Sequence, residues 1–437
     1  MNRAQVLETP RQRREEAGKG LAGGSAGRVW LVYAPVLLLG LMGAFALGDL
    51  FGRAPNTDFL GFWTAARLAL SHDPAAAYDP AAQVAAQGLG DHFFAFLYPP
   101  QFLLLVLPFG LLPYGLALTA WRAIGLAAYL IAARRVSPGM FWTIAAYPAA
   151  LAALALGQSS LLLGALLTSG LLLIEERPLI GGLLLGGLIC KPQLAILAPL
   201  ALIAAGQTRA LAGAALGAGG LLIASLLAFG WPLFASFATS GSLDLIVFND
   251  AGLWPKMVGL YPSLRLLGLG ASTAGALQLA LTIACAALVW LSWRSRAPFG
   301  LKIAILAVCD MLATPYAFTY DLVILMASIC WLVADGLAGG VRSGEKAALA
   351  AIYALPLASP WLARVTGLNL AWLVLALFLA ALLRRLPASQ FAASPCFLPS
   401  RPVSPAHGRF AHPSSASAYQ PLGALGAAFR RGRARRG

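Results

Sequence analysis

The ionisable residues beside long apolar runs carry the chemical information in this sequence. A charge kept close to hydrocarbon is costly, so each one is a candidate for function. Asp58 stands in Asn56-Thr57-Asp58-Phe59, just past the first apolar run and just before an amphipathic stretch, Phe59 to Leu70. Two roles suit it. Its carboxylate can cap the helix that follows, near the positive end of the helix dipole. Alternatively it can serve as a general base at the membrane surface, beside a lipid-borne substrate.

Lys191, in Lys191-Pro192-Gln193, separates two apolar runs. An ammonium there needs a carboxylate, carbonyl or phosphate partner, and a lipid phosphate and an internal salt bridge are equally suitable. Tyr316, Tyr320 and Asp321 fall in a polar turn, Thr314 to Asp321. The tyrosines suit stacking on a sugar ring or anchoring at the interface. Asp321 suits a helix cap or a sugar hydroxyl. Arg122 and Asp310 lie inside apolar segments and are natural partners for each other. Tyr98 opens a span with Pro99 and Pro100 at the helix start, where a missing N–H costs little. Asp73-Pro74 and Asp79-Pro80 read as turn starters. His72, Asp91 and His92 show no spacing typical of a metal site.

The elements that position these residues must be membrane helices. Of 437 residues, 59% are hydrophobic and only 11% are charged, against about 25% charged in soluble domains. Mean hydropathy is +0.77. Apolar runs between residues 29 and 383 support an all-α, polytopic transmembrane bundle with about 10 to 13 membrane helices. The first run has no convincing cleavage site and reads as a retained helix. The stretch from Phe141 to Ile174, interrupted at Gly157-Gln158-Ser159-Ser160, reads as a broken span.

The net charge of +15 gathers in an arm over 1–28 and a tail over 385–437. That pattern places both termini in the cytoplasm. It argues against nucleic acid as the partner, with an RNA- or lipid-binding tail as the lesser alternative. Arg134-Arg135 does not fit the alternation of the other basic turns. The tail, rich in Pro, Ser, Ala, Gly and Arg, is expected to be disordered. Between arm and tail, a membrane domain over 29–384 carries two long outer loops, 50–97 and 231–268. Long loops are commonly functional, and Phe59 to Leu70 suits a helix lying in the membrane interface. Five cysteines without a CxxC pair indicate neither disulfides nor a metal. No Walker A, Rossmann, GxSxG or HExxH pattern is present, so no nucleotide cofactor is expected.

The ordered set Asn56-Thr57-Asp58-Phe59, Phe62-Trp63, Ala65-Ala66, Tyr98-Pro99-Pro100, Gly157-Gln158, Lys191-Pro192, Pro315-Tyr316 and Tyr320-Asp321 resembles glycosyltransferase family 87. The similarity covers roughly residues 30 to 340. Members of that family include polyprenol-phosphate-mannose-dependent alpha-mannosyltransferases of the GT-C superfamily. The resemblance implies a GT-C-type bundle with the catalytic aspartate at Asp58 in the first outer loop. It implies a polyprenyl-phosphate sugar donor, usually mannose, and a glycolipid or glycan acceptor outside the cytoplasmic membrane. Many relatives carry an acidic pair in this loop; here Thr57 precedes Asp58, so no metal is assigned.

On this resemblance Lys191 or Arg265 holds the donor phosphate. Tyr98, Gln158, Gln193, Tyr316, Tyr320 and Asp321 are candidate substrate contacts. A single displacement with Asp58 as general base inverts the anomeric centre. The rival is a polytopic transporter or lipid-linked-sugar flippase. Such proteins commonly contain two related halves, and no internal repeat is visible.

Overall fold

The structure is a computed structural model that describes residues 40–48, 57–71, 73–90, 93–240 and 250–386. The basic arm over 1–28, the tail beyond 386, and His72, Asp91 and His92 lie outside the described residues. The described elements are all helical. Residues 40–48 form the described part of the first apolar helix.

Proline sets many of the helix starts. Helices α1 (Phe59–Leu70), α2 (Pro80–Gln87), α3 (Pro100–Val106), α4 (Tyr114–Val136), α5 (Phe141–Ala145), α6 (Pro148–Leu156), α7 (Ser160–Leu173) and α8 (Pro178–Gly186) occupy the first half. Four of them, α2, α3, α6 and α8, open on proline at the first helical position. There its fixed φ is already helical and no hydrogen bond is lost. Asp73 and Asp79 act as the expected turn starters, accepting from Ala76 N at 3.3 Å and Ala81 N at 3.0 Å.

The second half holds α9 (Ala198–Ala204), α10 (Thr208–Thr239), α11 (Leu260–Leu266), α12 (Ala271–Arg294), α13 (Phe299–Ala313), α14 (Met326–Gly339), α15 (Glu345–Thr366) and α16 (Ala371–Leu383). A 3₁₀ stretch, Thr319–Leu325, runs straight into α14. Helix α10 contains one non-helical residue, Gly230, at φ 74°. The kink and Pro232 fall where the long apolar run ends, and the chain stays helical to Thr239.

Among the described residues, five helices are long and apolar enough to cross a bilayer: α4, α10, α12, Thr319–Gly339 and α15. The bent pair Pro138–Ala145 and Pro148–Leu156, at 51°, makes a sixth. Among the described residues these helices account for part of the 10 to 13 crossings expected. The remaining apolar helices are too short. Ser160–Leu173, at 14 residues, spans about 21 Å against a hydrocarbon core of about 30 Å. The chain is a multi-pass membrane protein that mixes full spans with broken ones.

Close backbone approach explains how one broken element is held. Gly182 and Gly186 of α8 lie against the backbone of α10 around Ala210 and Ala214, where a Cβ would collide with main-chain carbonyls. Small residues let helices approach this closely in membranes.

The amphipathic helix α1 turns most of its apolar face into protein. Phe59, Phe62, Ala65 and Ala66 are buried. Phe59 stacks on Trp121 at 5.7 Å, and Phe62 meets Tyr98 edge-on at 4.9 Å. Trp63 Nε1 donates to Leu112 O at 3.0 Å. These contacts fix the helix against α3 and α4.

Candidate active site

Asp58 precedes α1 at the capping position but makes no side-chain bond to the helix. The capping role is therefore not the one its carboxylate adopts. Oδ2 instead accepts from Gln158 Nε2 at 2.6 Å. Burial pushes the Asp58 carboxyl above the usual carboxylate value, while the Gln158 hydrogen bond and the charges of Lys256 and Lys191 oppose the shift.

Gln158 reaches Asp58 because the chain breaks at Gly157. Gly157 ends α6 in the left-handed region, at φ 65°. A side chain there would meet Phe59 Cβ at 2.8 Å and Leu118 Cδ1 at 2.9 Å. Trp121 Nε1 donates to Gly157 O at 2.9 Å. The interruption anticipated at 157–160 is thus a built turn that delivers three polar side chains to one place. Gln158 Oε1 accepts from Tyr98 OH at 3.1 Å, and Tyr98 OH lies 2.7 Å from Ser159 Oγ. Ser160 Oγ donates to Asp321.

Lys191 sits between two 3₁₀ turns, Gly187–Cys190 and Pro192–Ala195. Its ammonium pairs with Asp321 Oδ1 at 2.5 Å, and both side chains are buried. It also lies 3.4 Å from Ser160 Oγ. Its Nζ is 5.6 Å from the Tyr98 ring and 5.1 Å from the Tyr320 ring, in cation–π range. An internal carboxylate is thus one of its partners. Asp321 Oδ2 accepts from Phe318 N at 3.1 Å, so the residue also caps its own turn.

Tyr98 therefore joins two charged groups. Its hydroxyl belongs to the Gln158–Asp58 side and its ring faces Lys191. Tyr316 adds a hydrogen bond with Gln193, and burial pushes its hydroxyl up to about 12. Asp58, Tyr98, Gln158, Lys191, Gln193, Tyr316, Tyr320 and Asp321 thus form one neighbourhood of polar groups.

One residue stands apart from this neighbourhood, and one expected pairing changes. Arg265 stacks on Trp254 at 4.9 Å and donates to Leu269 O at 2.9 Å. Among the described residues no hydrogen bond or ion pair links it to the Lys191 group. Arg122 and Asp310 are not partners. Arg122 donates to Leu154 O at 2.8 Å and Ala155 O at 2.7 Å, satisfying carbonyls left open at the end of α6. Asp310 Oδ1 accepts from Leu197 N at 2.8 Å. Each charge solves a backbone problem at a broken helix rather than pairing with the other.

The motif reading overlooked Ser159 and Ser160 as parts of this neighbourhood, and Lys256, whose charge acts on Asp58. The serines were visible only as an interruption, and Lys256 as a lone cation in a long loop. Among the described residues no three His, Cys, Asp or Glu side chains gather to hold a metal. An apolar cavity of about 310 Å³ opens beside Pro192, lined by Leu185, Leu188, Ala195, Leu202, Leu211 and Ala214 among others.

A family model described as glycosyltransferase family 87 matches residues 96–315. The chain belongs to that family. Membership makes this protein a membrane glycosyltransferase, a transferase that joins a sugar donor to an acceptor. No curated protein and no solved structure matches the chain. The family 87 match contains Tyr98, Gln158, Lys191, Gln193 and Arg265. Asp58 precedes it, and Tyr316, Tyr320 and Asp321 follow it. The transporter and flippase alternative gains no support from membership in a transferase family.

Proposed function

We propose that this family 87 enzyme transfers a sugar, mannose by resemblance, from a polyprenyl phosphate to an acceptor hydroxyl at the extracytoplasmic face of the cytoplasmic membrane. The acceptor is a glycolipid or glycan. Asp58 removes the proton from that hydroxyl as its oxygen attacks the anomeric carbon. The bond from anomeric carbon to phosphate oxygen breaks, and its electron pair leaves with polyprenyl phosphate. One displacement inverts the centre, and the proton on Asp58 passes to solvent.

A single observation carries this reading: Tyr98 connects the Asp58–Gln158 pair to the Lys191–Asp321 pair. A base and a cation close together suit a reaction that removes a proton and releases a phosphate. The raised carboxyl of Asp58 supports the same role, because a stronger base takes a proton from an alcohol more readily. The Lys191 ammonium has three N–H donors, and Asp321 and Ser160 engage two. The third is available to a phosphate oxygen. The cavity beside Pro192 is apolar and suits an isoprenoid chain whose phosphate ends near Lys191.

The test is transfer by purified protein from a panel of polyprenyl-phosphate sugars to membrane-lipid acceptors. Transfer by the native chain and none by Asp58→Asn supports the reading. An Asp58→Asn variant with native turnover excludes Asp58 as the base. Solute or lipid translocation in liposomes without any transfer would favour the transporter.

A further inference from the structure

The outer segment Trp254 to Gly259 is clamped from two directions. Asn369, buried in the turn between α15 and α16, donates from Nδ2 to Trp254 O at 3.0 Å and Met257 O at 2.7 Å. Its Oδ1 accepts from Ala371 N at 3.1 Å and Ser359 Oγ at 3.3 Å. On the other flank, Val258 N donates to Ala317 O at 2.8 Å, and Met257 pairs with Phe318 in an isolated bridge. A Cβ on Gly259 would lie 3.0 Å from Pro315 O, so the two chains are in close contact. Arg265 packs on the Trp254 ring from a third element.

Lys256 is the exposed residue inside this clamp, between buried Trp254 and buried Met257. The next two residues, Met257 and Val258, are bonded to the turn that carries Tyr316, Phe318 and Tyr320, and the Tyr320 ring lies 5.1 Å from Lys191 Nζ. Its charge acts on Asp58 more strongly than that of Lys191 does. No ion pair joins Lys256 to a carboxylate among the described residues. Lys191, by contrast, is already neutralised by Asp321 at 2.5 Å. A phosphate entering next to the Asp58 carboxylate meets a like charge. Besides the one N–H that Lys191 has left, it needs a cation whose charge is not already balanced.

We infer that Lys256 is the residue that recruits the phosphate of the donor headgroup, and that Asn369 is the positioning residue that holds Lys256 over the site. This rests on the proposed lipid-phosphate donor. The ligand chemistry is a phosphate ester on an isoprenoid chain. The apolar cavity near Pro192 receives the chain while Lys256 meets the anion.

The test measures binding of polyprenyl phosphate to the full-length protein in neutral-lipid nanodiscs, with inorganic phosphate and the uncharged polyprenol as separate probes. Lys256→Met should weaken polyprenyl-phosphate binding by about 10-fold or more, the usual scale for a charge-assisted hydrogen bond. Lys256→Arg should retain most of it, since the charge survives. Polyprenol binding should be unchanged in both. Inorganic phosphate should compete weakly against the native chain and lose that effect in Lys256→Met. Asn369→Ala should weaken binding in the same direction by a smaller factor. Salt should weaken native binding more than Lys256→Met binding, because screening acts on an exposed charge.

The acid limb of kcat/KM should also move upward in Lys256→Met, because a cation that favours the Asp58 carboxylate has been removed. A purely structural lysine would not move it. Equal binding of polyprenyl phosphate by the native chain and Lys256→Met overturns the inference and leaves the donor reading standing. A native chain that binds no polyprenyl phosphate at all removes the donor reading, and the assignment of Lys256 with it.

Discussion

The side-chain amide of Gln158 donates to the carboxylate of Asp58 at 2.6 Å, across 100 positions of sequence. The same amide oxygen accepts from Tyr98 OH, so the orientation of Gln158 is set from its far side. An amide held at its oxygen presents its N–H to the carboxylate and leaves Oδ1 of Asp58 available to an incoming hydroxyl. On the proposed mechanism Gln158 would position the base, a more particular role than contact with substrate.

Asp58→Asn should abolish sugar transfer, by at least the ~10²–10⁴-fold typical of a lost general base. The variant should also be the more heat-resistant protein at neutral pH. Burial raises the Asp58 carboxyl in the fold. A raised carboxyl contributes stability that is complete below its unfolded value of 3.8 and is lost as pH rises through the raised folded value. Asparagine avoids that loss. Thermal unfolding in detergent should show a higher midpoint for the variant at neutral pH, the gap closing as the pH falls below 3.8. A native chain that is the more stable at neutral pH would contradict the burial argument.

Gln158→Ala should move the acid limb of kcat/KM to higher pH. The Gln158 hydrogen bond favours the charged carboxylate, as do Lys256 and Lys191, so its loss leaves burial less opposed. The direction is upward. A pH–rate profile of the purified variant checks it. A limb that stays in place would show that Gln158 does not act on Asp58.

Lys191→Met should destabilise the protein by about 3–5 kcal/mol, the cost of leaving one member of a buried pair without its partner. Asp321 is fully buried and Lys191 nearly so. The double variant Lys191→Met with Asp321→Asn should recover part of that loss, because two neutral groups replace the orphaned charge. The yield of folded protein and its unfolding temperature measure both. Equal stability of the single and double variants would show that the pair is not coupled.

Gly157→Ala should cost about 1–3 kcal/mol from backbone strain in the left-handed region. The added methyl also meets Phe59 and Leu118. Transfer should fall further than stability, because the turn at Gly157 directs Gln158 to Asp58. Comparing kcat with the unfolding temperature separates the two effects. Native kcat in a destabilised Gly157→Ala would show that the turn does not set the base.

Much of the helix plan was legible locally. The prolines at 80, 100, 148 and 178 start helices through their fixed φ, and the break at Gly157 is visible as four small or polar residues between apolar runs. The helix at Phe59–Leu70 was legible from its periodicity, but not its environment. A stripe facing lipid and one facing Trp121 and Tyr98 have the same pattern. The number of crossings was not legible, because an apolar run of 13 or 14 residues looks alike in a broken span and a full one. Arg122 and Asp310 misled for a related reason. Two opposite charges inside apolar runs suggest a pair, yet the carbonyls of Leu154 and Ala155 and the amide of Leu197 were nearer needs.

By itself the sequence determined the solvent of this protein, its helical class and the short list of costly polar residues. Those follow from composition and local spacing, which act on each segment independently. The tertiary structure decided the partners: Asp58 with Gln158, Lys191 with Asp321, and Asn369 with the chain around Lys256. Each of these pairs is separated by 100 or more residues, at 100, 130 and 112 to 115 positions. Contacts over such distances depend on which helices pack side by side, and that choice is made by the whole apolar core rather than by any motif within it.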